Sequence, residues 1–165
     1  FDSTHFRKYL LKEILKNQLC FSLYAATNSI TRYYRFYLKE IGITYPQYLV
    51  LITLWETNTT TASEISSTLK LDLPTITLIL QKLERMEFIS RARSLDDNRI
   101  VTVTLTKKGH EIEKVIADIQ NKVACKTHLA KNEFNKLKDT LNDLTKAMEL
   151  DAKDQKSLED LKKCV

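Results

Sequence analysis

The sequence predicts a mainly α-helical fold of the α+β class, and three observations support this prediction. Only two glycines and two prolines occur in 165 residues, a composition that favours long helices with short connections. Apolar residues recur at helical spacing through most of the chain. Between residues 89 and 105 the pattern changes to alternation, which is typical of strands. A chain of this length, 43% hydrophobic, can bury one core, so we expect a single domain over residues 1–165.

The first element is a long helix, predicted over residues 8–40. Its apolar stripe consists of Leu15, Leu19, Leu23, Ala26, Ile30 and Tyr33 or Tyr34. Such a helix is about 45 Å long at 1.5 Å per residue, more than one small domain covers, so we expect it to pack against a second chain. Gly42 ends it, and Thr44 with Gln47 has the spacing of a capping box that starts the next helix. Residues 58–61 are predicted to form a turn.

The segment over residues 44–105 predicts a compact lobe of helices followed by a hairpin. Thr61 and Glu64 have capping-box spacing, and Asp72 is placed to cap the helix after that. The alternating residues 89–105 then predict two short strands joined by a polar turn. Helix, turn, helix and hairpin in this order indicate a winged helix-turn-helix.

The polar face of the second helix in this motif continues into arginines on the hairpin. Small hydroxylated side chains at the helix start can reach base edges or phosphates in a major groove, and arginines on the hairpin can enter a minor groove. The predicted DNA-binding residues are Thr75, Thr77, Gln81, Lys82, Arg85, Arg91, Arg93 and Arg99. The chain carries a net charge of +5, but residues 61–105 hold six Lys/Arg against six Asp/Glu, so binding depends on where the charges point. The pattern alone leaves open an α+β packing unit whose arginines are only solvated.

The last third of the chain again has helical periodicity. Thr106 is placed to cap a helix running to about Thr127, and a second helix is predicted over residues 131–146. The two stripes consist of Ile112, Val115, Ile116, Ile119 and Val123, and of Phe134, Leu137, Leu141 and Leu144. We expect residues 106–163, together with residues 8–40, to form dimerisation helices flanking the lobe.

The residues from Asp97 and Arg99 through Leu105 and Thr106 to Gly109 follow the pattern D-x-R-x-x-x-V-x-L-T-x-x-G. This pattern resembles the wing signature of the MarR family of bacterial transcriptional regulators. The resemblance implies a homodimer held by its terminal helices, with two winged lobes below. Where the family usually has a glycine after the recognition helix, this chain has Glu87, which must either adopt the left-handed conformation or end the helix differently.

Three further segments, residues 18–26, 43–48 and 54–56, resemble one branch of that family, the organic hydroperoxide resistance regulators. The first reads Q-L-C-F-S-L-Y-A-A. The resemblance implies that Cys20 is the peroxide-reactive cysteine and that Tyr24 and Tyr34 hydrogen bond to it. It also implies that Cys125 matches the second cysteine of those members that close a disulfide.

The residues themselves constrain how this group can assemble. Tyr24 follows Cys20 by four residues and lies on the same helix face. Tyr34 follows Cys20 by fourteen residues, about 21 Å along a helix, so any contact with Cys20 must come from the partner subunit. A lone cysteine among apolar residues is more often a small buried hydrophobe, and Cys125 can equally be a packing residue. Cys164, near the end of the chain, can also form the crosslink.

These patterns together predict a cytoplasmic, homodimeric regulator, most simply a repressor, that binds a pseudo-palindromic operator in double-stranded DNA and releases it when an organic hydroperoxide oxidises Cys20. Three scattered cysteines and three histidines predict no metal and no cofactor, and no hydrolase or kinase motif indicates an enzyme. No apolar run approaches the roughly 20 residues of a membrane span, and the first residues lack a signal-peptide pattern.

Two alternatives remain open at this point. One is a MarR-type regulator released by a small aromatic or phenolic ligand, with Cys20 incidental, and the other is a thiol peroxidase. The operator sequence, the choice between repression and activation, and the particular hydroperoxide do not follow from the sequence.

Overall fold

The computed structural model describes residues 15, 17–93 and 100–148. The elements in this part of the chain are α1 (Leu19–Leu38), a 3-10 turn (Lys39–Ile41), α2 (Tyr45–Thr57), β1 (Thr59–Thr61), α3 (Ala62–Leu69), α4 (Leu73–Arg85), β2 (Ile89–Arg93), β3 (Val101–Leu105), α5 (Lys107–Ile116), α6 (Ile119–Cys125) and α7 (Lys131–Ala147). The predicted fold class, mainly helical with a small antiparallel sheet, is confirmed. The chain divides into two compact units between Val123 and Ala124, and each is described by itself.

The prediction of one uninterrupted helix over residues 8–40 is wrong at its N-terminal part. Leu15 is helical, but Asn17 lies in a turn and Gln18 is extended, with φ −84° and ψ 119°. Asparagine competes for backbone hydrogen bonds and has a low helix propensity, which favours a break here. The helix α1 therefore begins at Leu19, and the Gln18 carbonyl accepts the Ser22 N–H at 3.2 Å. Residues 8–14 and residue 16 lie outside the described residues.

The winged lobe contains a three-stranded antiparallel sheet in the order β1-β3-β2. The predicted turn at residues 58–61 is wrong, because Thr59–Thr61 pair with Val101–Leu105, with Thr60 opposite Val103. Threonine fits well into strands, and this pairing joins residues distant in the sequence. On the other side of β3, Ile89 lies opposite Leu105. The hairpin tip over residues 94–99, with Arg99, lies outside the described residues.

Local caps set the start of each helix in the lobe. The Thr61 N–H donates to Glu64 Oε2 at 2.8 Å, and the Glu64 N–H donates to Thr61 Oγ1 at 3.2 Å, which confirms the predicted capping box. The Thr75 N–H donates to Asp72 Oδ1 at 2.7 Å, as predicted for the cap of α4. The fully buried side chains of the lobe include Leu38, Leu51, Leu54, Ile65, Ile76, Leu80, Leu83, Ile89 and Val103.

The helix predicted from Thr106 to Thr127 is broken. Thr106 caps it as predicted, accepting the Gly109 N–H at 3.1 Å, but Ala117 and Asp118 form a turn between α5 and α6. Asp118 favours the start of a helix, and its carbonyl accepts the Lys122 N–H. Of the predicted stripe, Ile116 and Ile119 are buried, whereas Val115 is 65% exposed.

The second unit contains α7, which confirms the helix predicted over residues 131–146 within one residue. Leu137 and Leu141 are exposed, whereas Phe134 and Leu144 are partly buried. The predicted continuation of the dimerisation helices to residue 163 lies outside the described residues. Across the described ranges, no helix has the length and apolar character needed to span a membrane.

Candidate nucleic-acid interface and cysteine site

The helix α4 buries one side against the lobe and leaves the opposite side exposed. The buried side consists of Ile76, Leu80 and Leu83. On the two flanks of this buried side, Thr75 and Thr77 are partly buried. The hydroxyl of Thr75 donates to Asp72 Oδ2 at 3.0 Å, and the hydroxyl of Thr77 donates to the Leu73 carbonyl at 2.8 Å. Because both hydroxyl hydrogens are bound within the helix, these threonines present oxygen acceptors and methyl groups rather than free donors.

The remaining polar residues predicted on α4 differ in exposure. Lys82 and Arg85 are exposed, and Gln81 is partly buried. Gln81 also lines a groove of about 410 Å³ between α4 and the hairpin, where it meets Thr77 and Arg93. Arg93 is exposed at the end of β2. The α4 side of this groove is therefore lined by polar side chains, and its exposed cation, Arg93, comes from the hairpin.

Arg91 occupies a different position from the other predicted DNA-binding residues. Its guanidinium donates through Nε to Glu84 Oε2 at 3.0 Å and forms an ion pair with that carboxylate. The pair is half-buried, with 24% of the Arg91 side chain exposed, and it lowers the pKa of Glu84 through the hydrogen bond from Arg91. Arg91 thus ties the hairpin to α4, a contact that the sequence pattern did not indicate.

Glu87 adopts the left-handed conformation, with φ +63°. The following residue closes the helix end, since the Phe88 N–H donates to the Leu83 carbonyl at 3.1 Å. The Thr106 hydroxyl donates to the Glu87 carbonyl at 2.6 Å. Of the two outcomes expected for a non-glycine residue here, the structure shows the strained left-handed cap.

Gly109, the last residue of the wing pattern, is required by close packing. A Cβ atom added here would lie 2.1 Å from the Phe88 carbonyl oxygen and 3.0 Å from Leu105 Cδ2. The Gly109 carbonyl accepts the indole N–H of Trp55 at 3.0 Å. The start of α5 is therefore fixed against α2 and against the hairpin of β2 and β3, which we call the wing.

Cys20 lies in the first turn of α1, and its side chain is exposed. Tyr24, one turn further along, is 66% exposed. Tyr34 lies on the same helix but is buried in the lobe, 8% exposed. Fourteen residues of continuous helix separate Cys20 from Tyr34, about 21 Å, so a single chain brings Tyr24 but not Tyr34 near the cysteine.

Tyr34 belongs to a cluster of three tyrosines. Its ring centroid lies 4.6 Å from that of Tyr45 and 5.3 Å from that of Tyr48. Burial raises the pKa of Tyr34 far above its ordinary value, and Tyr48 and Tyr45 raise it further. Burial also raises the pKa of Tyr45 and of Tyr48. These phenols stay protonated and remain hydrogen-bond donors.

Tyr45 and Tyr48 are not among the sensing residues predicted from the sequence. The signal that the sequence offers for them is their three-residue spacing at the start of α2. A groove of about 560 Å³ lies beside Tyr45 and is lined also by Thr27, Thr31, Arg35 and Lys39. The groove combines an aromatic wall with two cations.

Cys125 is the last residue of α6, and its side chain is exposed. An exposed thiol at a helix end is accessible to an electrophilic sulfur. Cys164 lies outside the described residues. Among the described residues, no group of three or more His, Cys, Asp or Glu is arranged to hold a metal ion.

Comparisons with known proteins give a consistent result. The family described as transcriptional regulator SarA/Rot matches residues 32–116. The chain is 36% identical over 134 residues to the organic hydroperoxide resistance transcriptional regulator of Bacillus subtilis, covering 81% of this chain and 91% of that protein.

Two solved structures of AbfR, a protein of Staphylococcus epidermidis, are also similar. The structure of reduced AbfR bound to DNA has 33% identity and a TM-score of 0.71, covering 84% of this chain and 94% of that one. The structure of disulfide-formed AbfR has 31% identity and a TM-score of 0.58, covering 89% and 97%. The matched proteins are regulators, which confirms the prediction that the chain is not an enzyme.

Proposed function

Because the chain belongs to the MarR/SarA family of DNA-binding transcriptional regulators, we propose that it is a cytoplasmic, homodimeric repressor whose operator is released on oxidation of Cys20 by an organic hydroperoxide. One observation carries this proposal. Cys20 is an exposed thiol in the first turn of α1, followed one turn later by an exposed tyrosine.

The exposed apolar face of α1 supports the homodimer. Leu19 is 61% exposed, Ile30 40% and Tyr33 46%. These residues recur at helical spacing, so they form one stripe that water contacts in the single chain. A second copy of α1 is the simplest cover for this stripe, and an antiparallel crossing brings the N-terminal end of one helix towards the C-terminal half of the other. Cys20 of one chain then meets the tyrosine cluster of its partner.

The chemistry at Cys20 is a two-electron oxidation. The thiolate sulfur attacks one oxygen of the hydroperoxide, the O–O bond breaks, and the alkoxide that leaves takes up a proton to become an alcohol. The sulfur becomes a sulfenic acid. Free amides in the first turn of α1 are available to donate hydrogen bonds to the reacting sulfur. The hydroxyls of Tyr24 and of the partner's Tyr34 are further donors to it.

Cys125 is proposed as the resolving cysteine. Its thiolate attacks the Cys20 sulfenic sulfur of the other subunit, an S–S bond forms, and the hydroxyl leaves as water after protonation. AbfR, one of the similar proteins, has been solved in a disulfide-formed state, which supports this route here. A disulfide requires the two Cα atoms to approach within about 7 Å, so its formation pulls helices of the two subunits together.

DNA binding is assigned to α4 and the hairpin. We propose that Thr75, Thr77 and Gln81 contact base edges, and that Lys82 and Arg85 contact phosphates. Arg93 and Arg99 are assigned to the flanking minor groove. Arg91, paired with Glu84, is proposed to orient the hairpin rather than to contact DNA directly. Because a dimer reads two half-sites at fixed spacing, a rotation of the lobes on oxidation weakens binding.

The experiment that tests this function begins with DNA selected from a random duplex pool by the reduced protein. The selected duplex is then bound in gel-shift assays after treatment with dithiothreitol, with cumene hydroperoxide, and with hydroperoxide followed by dithiothreitol. We expect binding, release and restored binding. Cys20→Ser should bind like the reduced parent and ignore hydroperoxide, because serine cannot be oxidised in this way. Release of Cys20→Ser by hydroperoxide would contradict the proposal.

Non-reducing gels test the resolving cysteine. After one equivalent of hydroperoxide, the parent and Cys164→Ser should show a crosslinked dimer, and Cys125→Ser should not. A crosslink that persists in Cys125→Ser and disappears in Cys164→Ser would assign the disulfide to the tail.

A second candidate function is favoured by the groove beside Tyr45. Its aromatic wall, with Arg35 and Lys39, suits a small phenolic or aromatic acid. Salicylate in the same gel-shift assay distinguishes the two functions, because it would release the Cys20→Ser protein from DNA if this alternative holds.

A further inference from the structure

The exposed side of α4 carries an apolar side chain at its centre. Leu78 is 60% exposed, although it lies in the middle of the helix. At about 100° per residue, it lies roughly 170° around the helix from the middle of the buried stripe. No contact within the described residues covers most of this side chain, and it faces the same side as Lys82 and Arg85.

The surroundings of Leu78 indicate what covers it. Gln81 and Lys82 follow it at three and four residues, so they are its neighbours on the helix surface. Arg85 extends the same face by a further turn. Single exposed leucines are common and need no explanation by themselves. Leu78, however, lies within a cationic face that is complementary to a polyanion. In the proposed function, its helix α4 lies in a major groove.

The base edges of a major groove present one apolar group, the C5 methyl of thymine. We propose that Leu78 packs against this methyl group and is a specificity-determining residue for thymine in each operator half-site. The proposal rests on the proposed function, since it requires α4 to lie in a major groove. The hydroxyl hydrogens of Thr75 and Thr77 are bound within the helix, so an apolar contact supplies discrimination that these two side chains cannot provide as donors.

The test removes the methyl group from DNA and the side chain from the protein. The duplex selected from a random pool by the reduced protein is resynthesised with deoxyuridine in place of thymidine, one position at a time. This change deletes the methyl and keeps the pairing. At one thymine per half-site we expect the parent to lose about fourfold in affinity, the effect of exposing one such group to water. Leu78→Ala should bind the two duplexes equally.

Leu73→Ala is the matched control. Leu73 is also an exposed leucine of α4, at 45%, but it lies about 140° from Leu78 around the helix. This variant should keep the fourfold difference between the thymidine and deoxyuridine duplexes. Thermal melting followed by circular dichroism should show that both variants fold, because both side chains are exposed.

Two results would overturn the proposal. In the first, the parent binds every deoxyuridine duplex as tightly as the thymidine duplex. In the second, Leu78→Ala keeps the fourfold difference; if it also weakens binding to both duplexes, the side chain is assigned to the sugar–phosphate backbone. Failure of the reduced protein to enrich any duplex would refute the proposed function itself, and this proposal with it.

Discussion

The two ends of helix α1 differ in what they contact. At the C-terminal end, Tyr34 and Leu38 are buried in the winged lobe, with exposed fractions of 8% and 0%. At the N-terminal end, Leu19 and Tyr24 are 61% and 66% exposed. One chain therefore completes the core of the lobe but leaves the surroundings of Cys20 open. The difference indicates that a single chain completes the lobe, and it supports the proposal that a second chain completes the cysteine site.

The largest expected effect is on the free energy of unfolding, and it tests whether a single chain completes the core of the lobe. Leu51 is fully buried, so Leu51→Ala should lower the free energy of unfolding by about 3 kcal/mol through lost burial and a residual cavity. Urea unfolding of dilute protein measures this. Leu19→Ala is the control, with an expected loss below about 0.5 kcal/mol under the same conditions. Equal losses in the two variants would show that the outer end of α1 is already packed within one chain.

The second prediction concerns dimerisation through the exposed apolar stripe of α1. Ile30→Asp places a carboxylate on the exposed stripe, where a partner chain would bury it without a counter-ion. We expect the dimer dissociation constant to rise about 100-fold, which corresponds to about 2.8 kcal/mol. Analytical ultracentrifugation measures the constant. Asn28→Asp adds the same charge on the opposite side of α1 and should change it little, and a matching rise there would place the interface on another face.

A smaller effect is expected at the joint between α4 and the wing. Glu87→Gly should raise the free energy of unfolding by about 1 kcal/mol, because glycine tolerates the left-handed conformation that glutamate adopts here. Glu87→Ala keeps the strained conformation and loses only the exposed ion pair with Lys108, so it should gain nothing. Chemical denaturation of the two variants separates the contributions of backbone and charge.

The smallest expected effect concerns acid. Arg91 lowers the pKa of Glu84 below its usual 4.5, so this pair stabilises the fold above that pH. The stabilisation is lost as the pH falls through the lowered pKa in the folded state. The melting temperature of Glu84→Gln should therefore fall less than that of the parent between about pH 5 and pH 3. Parallel curves for the two proteins would show that the pair does not couple the wing to α4.

Local signals predicted much of the fold, whereas contacts between distant segments were not predictable. The caps at Thr61 and Asp72 depend on residues three positions away, and both were confirmed. The break between α5 and α6 was missed because the buried positions keep helical spacing across Asp118. The strand β1 was missed because its partner is β3, which lies far along the chain.

The same distinction between local signals and contacts of distant segments applies to the candidate site. Cys20 lies in the first turn of a helix because the helix is broken before Leu19, and the apolar periodicity does not show this break. The pairing of Arg91 with Glu84 depends on how the hairpin folds back onto α4. A list of arginines in the sequence cannot distinguish an arginine that holds the wing from one that is free for a ligand. The tyrosine cluster requires α1 and α2 to be packed before Tyr45 and Tyr48 reach Tyr34.

The hydrogen bond between Trp55 and Gly109 gives the molecule a built-in optical probe. Trp55 is the single tryptophan of the chain, and its indole N–H donates to the carbonyl at the start of α5 at 3.0 Å. Its fluorescence therefore comes from one place, the junction of α2, the wing and α5. If oxidation of Cys20 displaces α5, the indole of Trp55 becomes more exposed to water and its emission moves to longer wavelength. Stopped-flow fluorescence can then time the conformational change in the unlabelled protein, with or without DNA.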